Sequence, residues 1–283
     1  MKRKEFLRNS GLMIASLGLG GGFQQAKAAK NYVSNTASQP SDAFPLYDLH
    51  VHTSQAQTQE QIVEKAKANG IEMFGLMQNV APWGIRTDED LQKHYESVKN
   101  FPGFIALQPV YIGWSKELSK ETIAKFDYVL MDPQFIPNMN RYGDYGEVWD
   151  HNCYVPDEEA FMERNVEFYL EVINNPEPLD IFGWPLYLPP SIARDYYRLW
   201  TKERMEKIIE AAAKRGIAFE INDLARTPHA EFILMAKKAG CKFTFGSDTR
   251  DHRTFRLDYC KEIASLCGLT RDDFFIPVRK ERK

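Results

Sequence analysis

Cysteine is scarce in this chain, with four among 283 residues, at positions 153, 241, 260 and 267. None belongs to a Cys-x-x-Cys pair, which argues against a zinc knuckle and against a disulfide scaffold. Free thiols, buried as small hydrophobes, are expected. A basic cluster is also missing. The formal net charge is −3, and the first 28 residues carry five basic side chains against Glu5 alone, which leaves the remainder near −7. Nucleic acid demands clustered Lys and Arg for its phosphates, so no nucleic-acid partner is expected. Past the N-terminal segment no apolar run approaches the ~20 residues of a membrane-spanning helix. No membrane anchor is therefore expected in the mature chain. There is no internal repeat and no sign of a second domain.

Residues 1–28 read as an export signal. Lys2, Arg3, Lys4 and Arg8 form a basic start, residues 11–22 a short apolar core, and Ala26-Lys27-Ala28 a small-residue cleavage site. The order Arg3-Lys4-Glu5-Phe6-Leu7 resembles a twin-arginine signal with Lys in place of the second Arg. A periplasmic or secreted location is expected, by that route or by ordinary export of an unfolded chain. No Cys follows the apolar core, which argues against a lipoprotein anchor. Residues 29–44, rich in Ser, Asn, Gln and Ala, read as a flexible leader, and residues 45–283 as one barrel-sized domain.

Within that domain strand and helix patterns alternate. Strands are predicted at 46–52, 71–76, 104–111, 127–131, 179–183, 217–222 and 242–246. Helices are predicted at 58–69, 87–99, 119–125, 157–174, 200–215, 229–239 and 254–267. The unit from Lys202 to Arg215 is typical: Met205, Ile208, Ile209 and Ala212 recur at helical spacing, and Gly216 stops the helix. Seven strands alternating with helices imply a parallel sheet closed, or nearly closed, into a TIM-like barrel.

Function in such barrels sits at the strand exits. The first exit is the most informative stretch of the chain, Leu46-Tyr-Asp-Leu-His-Val-His-Thr53. His50 and His52 are two residues apart, so a strand projects both imidazoles from one face, half of a divalent-metal site. An alternating strand with inward histidines would show the same spacing; the pairing after Asp48 favours ligands. The later exits carry Gln78-Asn79, Gln108-Pro109, Asp132-Pro133-Gln134, Gly183-Trp184-Pro185, Glu220-Ile221-Asn222 and Gly246-Ser247-Asp248.

These motifs, in order on successive strands, resemble the PHP (polymerase and histidinol phosphatase) family. The resemblance rests on Asp48-Leu49-His50-Val51-His52-Thr53, Phe219-Glu220-Ile221-Asn222 and Phe245-Gly246-Ser247-Asp248, and runs from about residue 46 to 252. It implies a distorted (β/α)7 barrel and a phosphoesterase that binds up to three metal ions. The departures are as informative. Asn79, Gln108, Gln134, Trp184 and Arg250 stand where the family has five further ligands. Amides are weak neutral ligands and guanidinium is none, so fewer than three ions are expected. His50, His52 and Asp248 survive, enough for one Zn, Mn or Fe ion with positions open to water.

The resemblance thus implies an exported metal-dependent hydrolase acting on a small anionic substrate. Asp248 or Glu220 would accept a proton, and Arg250 would supply fixed positive charge. Asn79, Gln108, Gln134, Trp184 and Asn222 would line the substrate pocket. The bland alternatives are a helix-capping Asp248, a surface ion pair at Arg250 and structural hydrogen bonds at Glu220 and Asn222. His252 could replace a lost ligand or be solvated; His94 and His229, on predicted helices, are expected at the surface. The long insertion from Asn138 to Pro156, which holds His151, suits a lid or substrate wall. Trp83, Trp114, Tyr142, Tyr145, Trp149, Trp184 and Tyr187 fall in predicted loops, a pattern shared by sugar sites and by ordinary loop packing. A carbohydrate-processing lyase or isomerase on the same barrel, and a metal-poor binding protein, therefore remain alternatives.

Overall fold

The structure, a computed structural model, describes residues 44–136 and 148–282. The export segment, all of the leader but Phe44, and Tyr142 and Tyr145 of the insertion lie outside the described residues. Seven strands pair in chain order, all parallel: β1 Tyr47–Val51, β2 Met73–Val80, β3 Phe104–Pro109, β4 Tyr128–Met131, β5 Ile181–Phe182, β6 Ala218–Asn222 and β7 Phe243–Gly246. The last strand returns to the first, and Asp248 N–H donates to His50 C=O at 2.9 Å across the seam. The result is the nearly closed (β/α)7 barrel that the alternation predicts.

Helices α1 Gln59–Ala68, α2 Asp88–Val98, α3 Lys120–Ile123 and α4 Glu158–Asn174 follow the first four strands. A short α5 Tyr196–Leu199 and then α6 Lys202–Arg215 follow β5, α7 Ala230–Lys238 follows β6, and α8 Asp258–Leu266 follows β7. The sequence marks their ends locally. Thr58 with Gln61 and Thr87 with Asp90 form capping boxes, which satisfy backbone N–H groups that the helix leaves unpaired. Gly216 closes α6 at φ +68°, a left-handed conformation that glycine adopts without a side-chain clash.

Inside the barrel Leu49, Met77, Ala106, Tyr128, Leu130, Ile181 and Ala218 pack as one layer. Tyr128 reaches across this layer to donate to Leu49 C=O at 2.6 Å. A Cβ on Gly75 would overlap the Tyr128 hydroxyl, so the tyrosine and the glycine require each other. Polar side chains lie beyond this layer, toward the strand exits.

Two differences from the sequence reading bear on the strand exits. β2 extends to Val80, so Gln78 and Asn79 lie within the strand instead of after it, with Asn79 in register opposite Gln108. The apolar pattern stops earlier because Asn79 bonds to the side chain of Gln108 on the neighbouring strand. The stretch after β5 also holds short helical turns, at Ala193–Asp195 and in α5, too brief for periodicity to reveal.

Cys241, Cys260 and Cys267 are buried free thiols, and Cys153 is half-buried and free. Among the described residues no helix is long and apolar enough to cross a membrane. His229 is not at the surface: it is 7% exposed at the start of α7, with its Nδ1 3.1 Å from the Tyr196 hydroxyl. His94 is half-buried and stacks parallel to Phe126. Both belong to amphipathic helices whose buried face is wider than a count of aliphatic residues suggests. Trp114, in the turn after β3, packs in the core at 2% exposure.

Candidate metal centre

The first strand delivers its two histidines through an irregularity. Its register against β2 shifts between Asp48 and Val51. Leu49 joins the interior apolar layer, yet the next residue, His50, also points inward, where it meets Glu220, Gln108 and Asp248. A bulge lets consecutive side chains face one way, as bulges beside functional sites often do. Asp48 stays on the seam, where its Oδ1 accepts the N–H groups of Ser247 at 3.1 Å and His50 at 3.2 Å.

His50 is wholly buried and lies at the centre of the cluster. Its Nδ1 is 2.6 Å from Glu220 Oε1, while Trp184 donates its backbone N–H to Glu220 Oε2 at 2.9 Å. Both oxygens of Glu220 are thus engaged. With both oxygens held, Glu220 is placed to orient His50, because a carboxylate on Nδ1–H fixes the tautomer that leaves Nε2 available. Gly246 makes the approach of β7 feasible, since a Cβ there would overlap both Glu220 and His50.

Nε2 of His50 lies 3.2 Å from Asp248 Oδ1, and Nε2 of His52 lies 3.7 Å from the same oxygen. His50, His52 and Asp248 thus bring three donor atoms together, all in buried side chains. The other oxygen, Asp248 Oδ2, accepts the indole N–H of Trp184 at 2.8 Å. Arg250 Nη1 stands 3.4 Å from Asp248 Oδ1, with its side chain 22% exposed. Trp184 and Asp248 both have positive φ, 45° and 42°, an uncommon backbone state for residues with side chains.

A second group shares His50. Asp132, at the exit of β4, was not among the site residues expected from sequence, yet it forms a donor cluster with His50 and Glu220. Its Oδ2 accepts from the Gln108 amide and, at 3.4 Å, from Gln134, while Asn79 donates to Gln108 Oε1 at 2.6 Å. Asp132 Oδ1 is buried with no hydrogen-bond partner. The signal in the sequence was its place directly after β4, before Pro133.

Asn222 is set apart. Its Oδ1 accepts Ala225 N–H at 2.8 Å and so closes the turn after β6, the structural alternative at this position. His252, with its side chain 76% exposed, lies near Asp251 in solvent. Trp83, 39% exposed, packs against Phe135 at the exits of β2 and β4, and Trp184 packs edge-on against Tyr187.

Buried charge is concentrated here. Asp132, Glu220 and Asp248 bring three buried carboxylates around one imidazole. Burial, then repulsion by Glu220 and Asp248, pushes the Asp132 carboxyl well above the usual range against the pull of His50. Burial alone would lower His50, but Asp248, Glu220 and Asp132 outweigh it and hold the imidazole well above its ordinary value. Burial opposes charge on Asp248 too, and His50, Arg250 and His52 together override it and depress its pKa. Two imidazoles, one carboxylate and an orphaned carboxylate oxygen nearby fit a divalent ion by donor chemistry.

No family model matches the chain, and no curated protein does. Among solved structures it is similar to the histidinol phosphate phosphatase of Lactococcus lactis in complex with zinc, L-histidinol and phosphate. That likeness has 18% identity and a TM-score of 0.55, and covers 81% of this chain and 95% of the other. An HpcH/HpaI aldolase from Desulfitobacterium hafniense aligns at 12% identity and TM-score 0.36, over 80% of this chain and 94% of its own. The second likeness is too loose to argue from, and the first shows a shared barrel fold.

Proposed function

We propose that this protein is an exported, metal-dependent hydrolase of the phosphoesterase class, acting on a small anionic molecule from a PHP-type barrel. The observation that carries this reading is the approach of His50 Nε2 and His52 Nε2 to one oxygen of Asp248, with Arg250 beside it. His50, His52 and Asp248 would hold one Zn, Mn or Fe ion. When bound, such an ion supplies a nucleophilic water at neutral pH and polarises a phosphoryl oxygen.

The chain's own residues supply the rest. Glu220 holds the tautomer of His50, and Trp184 holds Asp248 so that Oδ1 faces the imidazoles. Arg250, partly open to solvent, would bind and orient the anion by fixed charge. Asp132 keeps one oxygen unpartnered and a raised pKa, the properties of a group that can exchange a proton with a leaving oxygen. Phosphoester chemistry is suggested by the zinc, histidinol and phosphate of the Lactococcus protein. The basic start and apolar core of residues 1–28 motivate export.

Metal analysis of the purified protein and of His50→Ala, with a phosphatase screen in added Zn or Mn, tests the reading. Bound metal and metal-stimulated phosphate release are expected in the wild type and neither in the variant. Full metal content and activity in His50→Ala would rule the mechanism out. A second reading, a metal-poor binding protein, is favoured by Gln108 and Trp184 filling donor positions; ligand binding without metal or turnover would select it.

A further inference from the structure

We propose that the side-chain amide of Gln108 takes the place of a second cation, so that the centre holds one divalent ion and no more. This rests on the metal-centre reading above and goes beyond it in fixing the ion count and naming the residue that limits it.

His50 belongs to two donor groups, one with His52 and Asp248 and the other with Asp132 and Glu220. With Nδ1–H held by Glu220 at 2.6 Å, its imidazole has a single lone pair to offer, on Nε2. One ion can use that lone pair; a second ion sharing His50 cannot. Glu220, engaged on both oxygens by His50 and the Trp184 backbone, is also withdrawn from coordination.

The donors the second ion would need are already engaged. His50 Nε2 and Asp132 Oδ2 are 4.0 Å apart. The Gln108 amide nitrogen stands beside that gap, hydrogen-bonded to Asp132 Oδ2 and 3.0 Å from His50 Nε2. An amide nitrogen has no lone pair for a metal, and its N–H groups present positive charge to the Asp132 carboxylate. It offers Asp132 what a cation would offer, at no net charge.

The orientation of that amide is fixed from behind. Asn79, opposite Gln108 in the β2–β3 register, donates to Gln108 Oε1 at 2.6 Å. Turning the Gln108 amide over would set its NH2 against that of Asn79 and its carbonyl against the Asp132 carboxylate. Both contacts are repulsive, so the NH2 group stays toward the centre.

The test is metal stoichiometry, by elemental mass spectrometry on the full chain after saturation with Zn or Mn and removal of free ion. About one equivalent per chain is expected in the wild type and about two in Gln108→Glu, whose carboxylate would join Asp132 around the vacated position. Asp132→Asn serves as a second variant should Gln108→Glu fail to fold. Because Asp132 bonds to the amide and not to the single ion, that variant is expected to keep about one equivalent. Two equivalents in the wild type, one in a folded Gln108→Glu protein, or none in Asp132→Asn would each overturn the proposal and leave the metal-centre reading intact. A wild-type protein that binds no metal would overturn that reading as well.

Discussion

The indole N–H of Trp184 donates to Asp248 Oδ2 at 2.8 Å, and both residues stand at positive φ. The two exits, of β5 and β7, are thus locked by one hydrogen bond between two strained residues. Such backbone strain costs about 1–3 kcal/mol per residue and persists where the surroundings over-determine it. The bond leaves Asp248 Oδ1 as the oxygen that faces His50 and His52.

Trp184→Phe keeps the ring and removes the donor. It is expected to weaken metal affinity by about 10–100-fold, the usual loss when a ligand's outer partner is removed. Competition against a chromogenic chelator measures this, with circular dichroism as the check on folding. Unchanged affinity in a folded variant would show that the indole does not position Asp248.

Metal removal should lower stability through mass action. An ion that binds only the folded chain contributes about 2.7 kcal/mol at a concentration 100 times its Kd. The thermal midpoint is therefore expected to fall on chelation and recover when Zn or Mn is restored. In His52→Ala the same additions should shift the midpoint little. A wild-type midpoint indifferent to metal would count against the centre.

Acid should destabilise the fold through two histidines outside the candidate metal centre. Burial pushes both His94 and His229 down to about 4 from an ordinary value of 6.5. Between these values the unfolded chain binds protons that the folded chain refuses. Their stabilising effect is thus fully present above about pH 6.5 and is lost as the pH falls toward 4. The slope is up to about 1.4 kcal/mol per pH unit for each histidine. Urea midpoints at pH 7 and pH 5 should differ more in the wild type than in a His94→Gln, His229→Gln protein. Equal differences would place the acid sensitivity elsewhere.

The barrel interior offers a test of packing. Gly75→Ala should destabilise by about 1–3 kcal/mol, the usual cost of overpacking, because the new methyl meets the Tyr128 hydroxyl. Combined with Tyr128→Phe, which removes that oxygen, the loss should be smaller than the sum of the two single losses. Urea denaturation of the four proteins gives the coupling directly. Strict additivity would show that the two positions do not compete for space.

The sequence by itself determined the architecture. Strand and helix patterns alternate along the chain, with Gly216 as a helix stop, and local patterns of that kind depend only on neighbours along the chain. It also marked His50, His52 and Asp248 as candidates, because the spacing of two histidines on a strand and a strand-exit carboxylate are local features too. What only tertiary structure decided is how these groups are partnered. The bulge that turns His50 inward, the engagement of both Glu220 oxygens and the entry of Asp132 into the cluster depend on residues far apart in sequence: Glu220 is 170 positions from His50. Asn79 and Gln108 looked like lost ligands on separate strands; β2–β3 register made them a hydrogen-bonded pair. Asn222 looked like a site residue because it shares a strand face with Glu220, and the turn after β6 took its carbonyl instead. Strand alternation says which way a side chain faces, but sheet register and closure determine what it meets.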